Sequence, residues 1–131
     1  MEQLVGILKF ADSRRWKSRA SMDLVKYGEL AVDSLIRLTA DTDPVVRDFS
    51  IQALGRLKSE RAVPSFMAAL DDDDSSVRHD AASALGELRA AEAVGELVLL
   101  LRDQSSSVRG SAAMAMARIG AREAIDPIIA A

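Results

Sequence analysis

The sequence predicts an all-α protein: a solenoid of about four 31-residue helical hairpins followed by a final unpaired helix. Three observations carry this prediction. The composition favours helices over sheets, the chain repeats itself at a fixed period, and apolar positions within each repeat recur at helical spacing.

The chain has 131 residues, 49% of them hydrophobic but only 4% aromatic, with Ala and Leu abundant. Ala and Leu are strong helix formers, whereas sheets draw on β-branched and aromatic side chains. A chain of this length buries one core, so residues 1–131 read as a single domain. There is no cysteine, which excludes disulfides, thiolate metal sites and cysteine nucleophiles. Asparagine is also absent, so no N-glycosylation acceptor exists. The first apolar run is short and carries Lys9, unlike a secretory signal or a membrane span. A cytoplasmic location with no membrane partner is the expectation. The net charge of −3 argues against a dedicated nucleic-acid binder. The charge is uneven: residues 1–65 hold 11 Lys/Arg against 9 Asp/Glu, and residues 66–131 hold 6 against 11.

The repeat is the main signal. Three segments starting at Asp41, Asp72 and Asp103 align without gaps at a period of 31. Val46, Val77 and Val108 form one column, and Arg47, Arg78 and Arg109 the next. Leu54, Leu85 and Met116 recur, as do Leu57, Leu88 and Ile119. Ala62, Ala93 and Ala124 close the unit. A degenerate first copy aligns when its inter-helix loop is one residue shorter. Trp16 then takes the valine position and is expected to face the core, Lys17 takes the arginine position, and Leu24 and Tyr27 take the leucine positions. Terminal repeats are expected to be atypical because one side lacks a neighbour.

Within the second unit Val46, Ser50, Ala53, Leu54 and Leu57 share one helical face, and Val63, Phe66, Met67 and Leu70 share the next. Asp43, Asp74 and Ser105 are placed to cap the longer helices. Gly28 and Gly120 stand where a helix C-cap favours positive φ. The units therefore fall near residues 2–28, 30–58, 61–89 and 92–120, with a last helix over 122–131, nine helices in all.

The segments AVPSFMAALDD with VRHDAASALGEL, and AIDPII with VRGSAAMAMARI, resemble HEAT repeats. They are most similar to the HEAT-like repeats first noted in phycobilisome lyase subunits. That family's pattern is roughly A-V-x-P-L-I-x-x-L-x-D followed by V-R-x-x-A-A-x-A-L-G-x-I. The resemblance covers about residues 12–131 and implies a right-handed α-α superhelix. It further implies a structural ladder between adjacent units made by Asp41, Arg47, Asp72, Arg78, Asp103 and Arg109. Departures from the pattern are Ala117 in place of the helix glycine seen at Gly55 and Gly86, and Pro64 one place early relative to Pro127. Asp23 stands where later units carry Ala53, Ala84 and Ala115, so it either pairs locally or distorts the first unit.

Catalytic constellations are thin. The only histidine, His79, is followed by Asp80 with Ser75, Ser76 and Ser83 nearby. A triad needs Asp and Ser on opposite sides of one imidazole, and adjacent helical residues point about 100° apart. The acidic run Asp71–Asp74 lacks the alternating ligands and central glycine of a calcium loop and reads as a capping turn. Some HEAT-like proteins are di-iron hydroxylases with paired His-Glu motifs, and this chain has none. No catalytic residue, metal or cofactor is therefore expected.

What remains is surface. In the family's architecture the helices carrying Val-Arg line the concave side, which presents Arg19, Met22 and Lys26, then Phe49, Gln52 and Arg56, then His79 and Ser83, then Met114 and Arg118. Apolar residues rimmed by arginine suit a protein contact. The expected function is a non-catalytic scaffold that binds a partner protein through this groove. Two other surfaces compete, an outward-facing Leu99 and the last helix with Ile125, Ile128 and Ile129, an end that would self-associate, dock a partner or fold back as its own cap. The resemblance also implies an alternative, a subunit or relative of a bilin lyase. A third reading is nucleic-acid binding through Arg14, Arg15, Lys17, Arg19 and Lys26.

Overall fold

The computed structural model describes residues 1–122, and eight α-helices lie among them. They are α1 (Glu2–Phe10), α2 (Arg14–Val25), α3 (Glu29–Leu38), α4 (Pro44–Leu57), α5 (Val63–Ala69), α6 (Ser75–Glu87), α7 (Val94–Leu100) and α8 (Ser106–Arg122). The expected ninth helix falls outside the described residues. One-turn 3₁₀ segments, Glu60–Ala62 and Ala91–Ala93, lead into α5 and α7.

The caps follow from the loop chemistry. Asp43 Oδ1 accepts from the Val45 amide at 2.9 Å, and Asp74 Oδ1 accepts from Ser76 at 2.9 Å and Val77 at 3.3 Å. Ser105 Oγ accepts from Val108 at 3.4 Å. Each satisfies an amide that a helix start leaves without a partner. Gly28 adopts φ 58° and turns the chain from α2 directly into α3 with no intervening 3₁₀ turn.

Gly120 corrects an expectation. Period-equivalent Lys58 and Arg89 do adopt left-handed φ, 52° and 54°, at the ends of α4 and α6. The glycine is not among the positive-φ residues, because α8 continues through it to Arg122. Glycine permits the left-handed turn but does not force it, and Ala121 and Arg122 are good helix formers.

The hairpins stack in one layer of two rows. In the inner row α2, α4, α6 and α8 pack side by side, with α6 against α8 the most extensive pairing. Outer helices α3, α5 and α7 pack mainly against α4, α6 and α8 and touch one another little. A close inner row and a spread outer row curve the layer, with the inner row on the concave side. The core runs between the rows through Leu24, Leu35, Leu54, Phe66, Leu85, Leu97 and Ile119, all buried.

The first unit differs from the expected register. Trp16 is 61% exposed instead of facing the core, and Lys17 is buried in its place. Lys17 Nζ donates to the carbonyls of Leu8 at 2.9 Å and Lys9 at 3.1 Å. A cation at the last turn of α1 satisfies orphan carbonyls and opposes the helix dipole. Reaching them rotates Lys17 inward, and its neighbour Trp16 swings about 100° away. Lys17→Met keeps the apolar stem and removes the ammonium, so a loss of about 1–2 kcal/mol is expected in urea unfolding. Asp23 resolves its expected conflict locally, 3.5 Å from Lys26 Nζ and partly exposed.

Candidate protein-binding groove

Adjacent repeats are tied by arginine–carboxylate pairs at the expected ladder positions. Arg47 Nε and Nη2 donate to Asp72 Oδ2 and Oδ1 at 2.8 and 3.0 Å. Arg78 repeats this with Asp103 at 2.8 and 3.0 Å. Each Nη1 also donates to two loop carbonyls of its own unit: Asp41 and Thr42 for Arg47, Asp72 and Asp73 for Arg78. One planar guanidinium thus fixes a loop and the next repeat together. The hydrogen bond from Arg78 holds the Asp103 carboxyl below its ordinary range, and the same bonds raise both arginines above theirs. Among the described residues the ladder lacks an arginine–carboxylate pair at either end. Arg109 donates, among those residues, to the carbonyls of Asp103 and Gln104 and reaches no carboxylate, and Asp41 accepts from the Asp43 amide.

These ties set the spacing of the inner helices, whose remaining faces form the groove. Two columns along it are open. Met22 and Met114 are 52% and 58% exposed, with Gln52 and Ser83 half-buried between them. Beside them run exposed Lys26, Arg56, Glu87 and Arg118, with Arg118 Nη1 4.0 Å from Glu87 Oε1. A cleft of 490 Å³ between α6 and α8 is lined by His79, Ser83, Glu87, Met114 and Arg118. A smaller one of 200 Å³ lies between α4 and α6 beside Gln52, Arg56 and Asp80. A 550 Å³ cleft lined by Pro64, Met67 and Arg89 lies outside the groove. Arg19 is exposed on α2.

Phe49 departs from the expectation that it lines the open groove. It is 6% exposed and joins the core, and the Arg14 guanidinium lies 5.1 Å from its ring centroid. Its column, Phe49, Asp80 and Ser111, faces the seams between inner helices, where neighbouring repeats cover it. Asp48 is likewise 4% exposed, with Arg14 Nη2 3.9 Å from its Oδ2. Of the expected basic end, Lys17 is buried and caps α1, whereas Arg14, which faces Phe49 and Asp48, stays exposed with Arg15, Arg19 and Lys26.

His79 Nδ1 lies 2.9 Å from Ser107 Oγ and 3.2 Å from the Ser107 carbonyl. Asp80 turns the other way. Gln52 Nε2 donates to Asp80 Oδ2 at 3.1 Å and to Asp48 Oδ2 at 3.3 Å, so one amide holds two carboxyls from neighbouring repeats. Burial, then the hydrogen bond and charge of Asp48, push the Asp80 carboxyl up to about 8. Sequence reasoning misses this cluster, because Asp48 and Asp80 sit in different columns and meet only through helix rotation. Among the described residues no group of three or more His, Cys, Asp or Glu is placed to hold a metal ion. No described helix is long and apolar enough to cross a membrane.

A layer of stacked helical hairpins with a groove along its inner row defines an α-solenoid repeat protein. The family model described as HEAT repeats matches residues 1–86 and 66–131, and the chain belongs to the HEAT-repeat family. Among solved structures it is similar to the complex of CpcE and CpcF of phycocyanin lyase from Nostoc sp. PCC7120. Identity there is 25% with a TM-score of 0.80, over 90% of this chain and 76% of that chain. It is similar to human deoxyhypusine hydroxylase in complex with glycerol at 27% identity and a TM-score of 0.74. That match covers 92% of this chain and 43% of that chain, so this chain spans under half of the enzyme. An engineered protein shares the fold at 24% identity and a TM-score of 0.67, over 91% of this chain and 62% of that chain. No curated protein matches the sequence.

Proposed function

We propose that this chain is a non-catalytic scaffold that binds a partner protein along the concave groove. The carrying observation is the pair of open columns, where exposed Met22 and Met114 are flanked by Lys26, Arg56, Glu87 and Arg118. Exposed methionine adapts to irregular partner surfaces, and a rim of arginine and glutamate supplies orientation. The arginine–aspartate pairs support this reading because they hold the groove helices in fixed register without occupying the groove. In this reading the whole chain, 1–131, acts as one repeat domain in the cytoplasm.

Met22→Glu with Met114→Glu is the direct test. Both side chains are exposed, so stability is expected to change by about 0.5 kcal/mol or less per site. Partner affinity measured by titration of the purified proteins is expected to fall at least tenfold, about 1.4 kcal/mol. Unchanged affinity in a folded double variant removes the groove as the contact surface.

The second reading is a subunit or relative of a bilin lyase, favoured by the similarity to the CpcE–CpcF complex. It requires chromophore attachment to an apoprotein on co-expression with bilin. Absence of attached chromophore under those conditions rejects it.

A further inference from the structure

We propose that Asp48 and Asp80 share one proton at neutral pH, making the α4–α6 seam of the groove a proton-linked joint. Two ionised carboxylates repel and have no hydrogen to donate to each other, yet one amide, Gln52 Nε2, draws both together, 3.3 Å from Asp48 Oδ2 and 3.1 Å from Asp80 Oδ2. A proton between them relieves that repulsion and supplies a donor. Asp48 is 4% exposed, and its Oδ1 is buried with no other donor reaching it. An orphan carboxylate oxygen in that setting is costly unless a neighbour supplies a hydrogen. The single amide of Gln52 is already divided between the two Oδ2 atoms.

The surrounding charges do not replace that proton. From α2, Arg14 lies 3.9 Å from Asp48 Oδ2, but its side chain is 64% exposed and its attraction is screened. On α4, Arg56 lines the same cleft as Asp80, as does Glu87 on α6. Asp74, at the start of α6, adds like charge. From α8, Arg118 faces Glu87 and Ser107 faces His79. Helix α5 carries no charged side chain, and α3 turns Glu29 and Asp33 toward Arg61, each 3.1 Å away.

Because folded Asp80 keeps its proton to higher pH than the unfolded chain does, the sign of the linkage is fixed. The contribution of Asp80 to stability is full below about pH 4 and falls as pH climbs through the range ending near 8. Deprotonation sets like charges against each other across the seam that shapes the groove. An effect on partner affinity rests on the groove reading above, whereas the shared proton does not.

The test is a carbon-13 NMR titration of the aspartate carboxyls in the wild-type chain and in Asp48→Asn. One wild-type carboxyl, assigned to Asp80, is expected to titrate at neutral to mildly alkaline pH. In Asp48→Asn that midpoint falls by more than about one pH unit, because the like charge is gone. Titration of every aspartate below about pH 5 overturns the proposal, as does an Asp80 midpoint unmoved by Asp48→Asn. If Asp48→Asn does not fold, Asp80→Asn serves instead, since its amide can donate to Asp48. Its unfolding midpoint is then expected to lose the wild-type decline between about pH 5 and about pH 9, and retention of that decline overturns the proposal.

Discussion

Gly86→Val is expected to destabilise the protein by about 3 kcal/mol, while Gly55→Ala, one period earlier, is neutral or stabilising. A Cβ on Gly86 would lie 2.7 Å from Ala115 Cα and 2.8 Å from its Cβ, so the obstacle is backbone on α8. At Gly55 the same atom meets only Ala84 Cβ at 3.6 Å, an ordinary separation. Replacing a helical glycine by alanine favours the helix by up to about 1 kcal/mol, and nothing at Gly55 opposes that gain. At Gly86 the gain is outweighed, because α6 and α8 form the most extensive pairing of the inner row and must separate. Ala115→Gly is expected to rescue Gly86→Val only in part, since it removes the side-chain clash and leaves the clash with the α8 backbone. Urea unfolding measures all three, and amide exchange on α8 shows whether the loss lies at that seam. The alanine at 117, the next position in this column, fits the same logic, because α8 is the last inner helix among the described residues.

Asp103→Ala is expected to cost about 3–4 kcal/mol, and Asp41→Ala only about 1. Removing Asp103 strands Arg78, whose side chain is 15% exposed, and takes away the acceptor for the Ser105 amide at 2.9 Å. Breaking a largely buried pair costs more than the pair itself contributes, because the remaining charge loses its compensation. Asp41 has no such arginine, since Lys17 occupies that place in the first unit and is turned to α1. Acid should act in the same direction as Asp103→Ala. The Asp103 carboxyl is held low by Arg78, so its contribution is present above the unfolded range near pH 4 and is lost as pH falls through the folded value. Asp80 has the opposite slope, so acid titration of Asp80→Asn isolates the ladder's share.

The parts legible in the sequence are those that repeat. Helix α1, Glu2–Phe10, opens where the first unit is expected to begin, and Asp43, Asp74 and Ser105 cap the helices they precede. Column periodicity reports which side of a helix faces its own hairpin partner. It says less about the seams between repeats, where a rotation of a few tens of degrees decides burial. Phe49 therefore reads as open in the sequence, whereas the neighbouring repeat and Arg14 cover it. Trp16 and Lys17 exchange their expected places for a related reason. Lysine lacks the planar fork by which Arg47 and Arg78 reach the aspartate of the next repeat, and its ammonium serves the end of α1 and sets the helix rotation. Asp48 and Asp80 are 32 residues apart, one off the period, and no column joins them.

The central claim is that the concave groove is the partner surface, and site-specific photo-crosslinking in cells tests it most directly. A crosslinking amino acid at Met22 or Met114 is expected to capture the same partner protein, while one at exposed Leu30 or Leu99 on the outer row captures none. Capture from Leu30 or Leu99, with none from Met22 or Met114, contradicts the account and moves the contact to the outer helices.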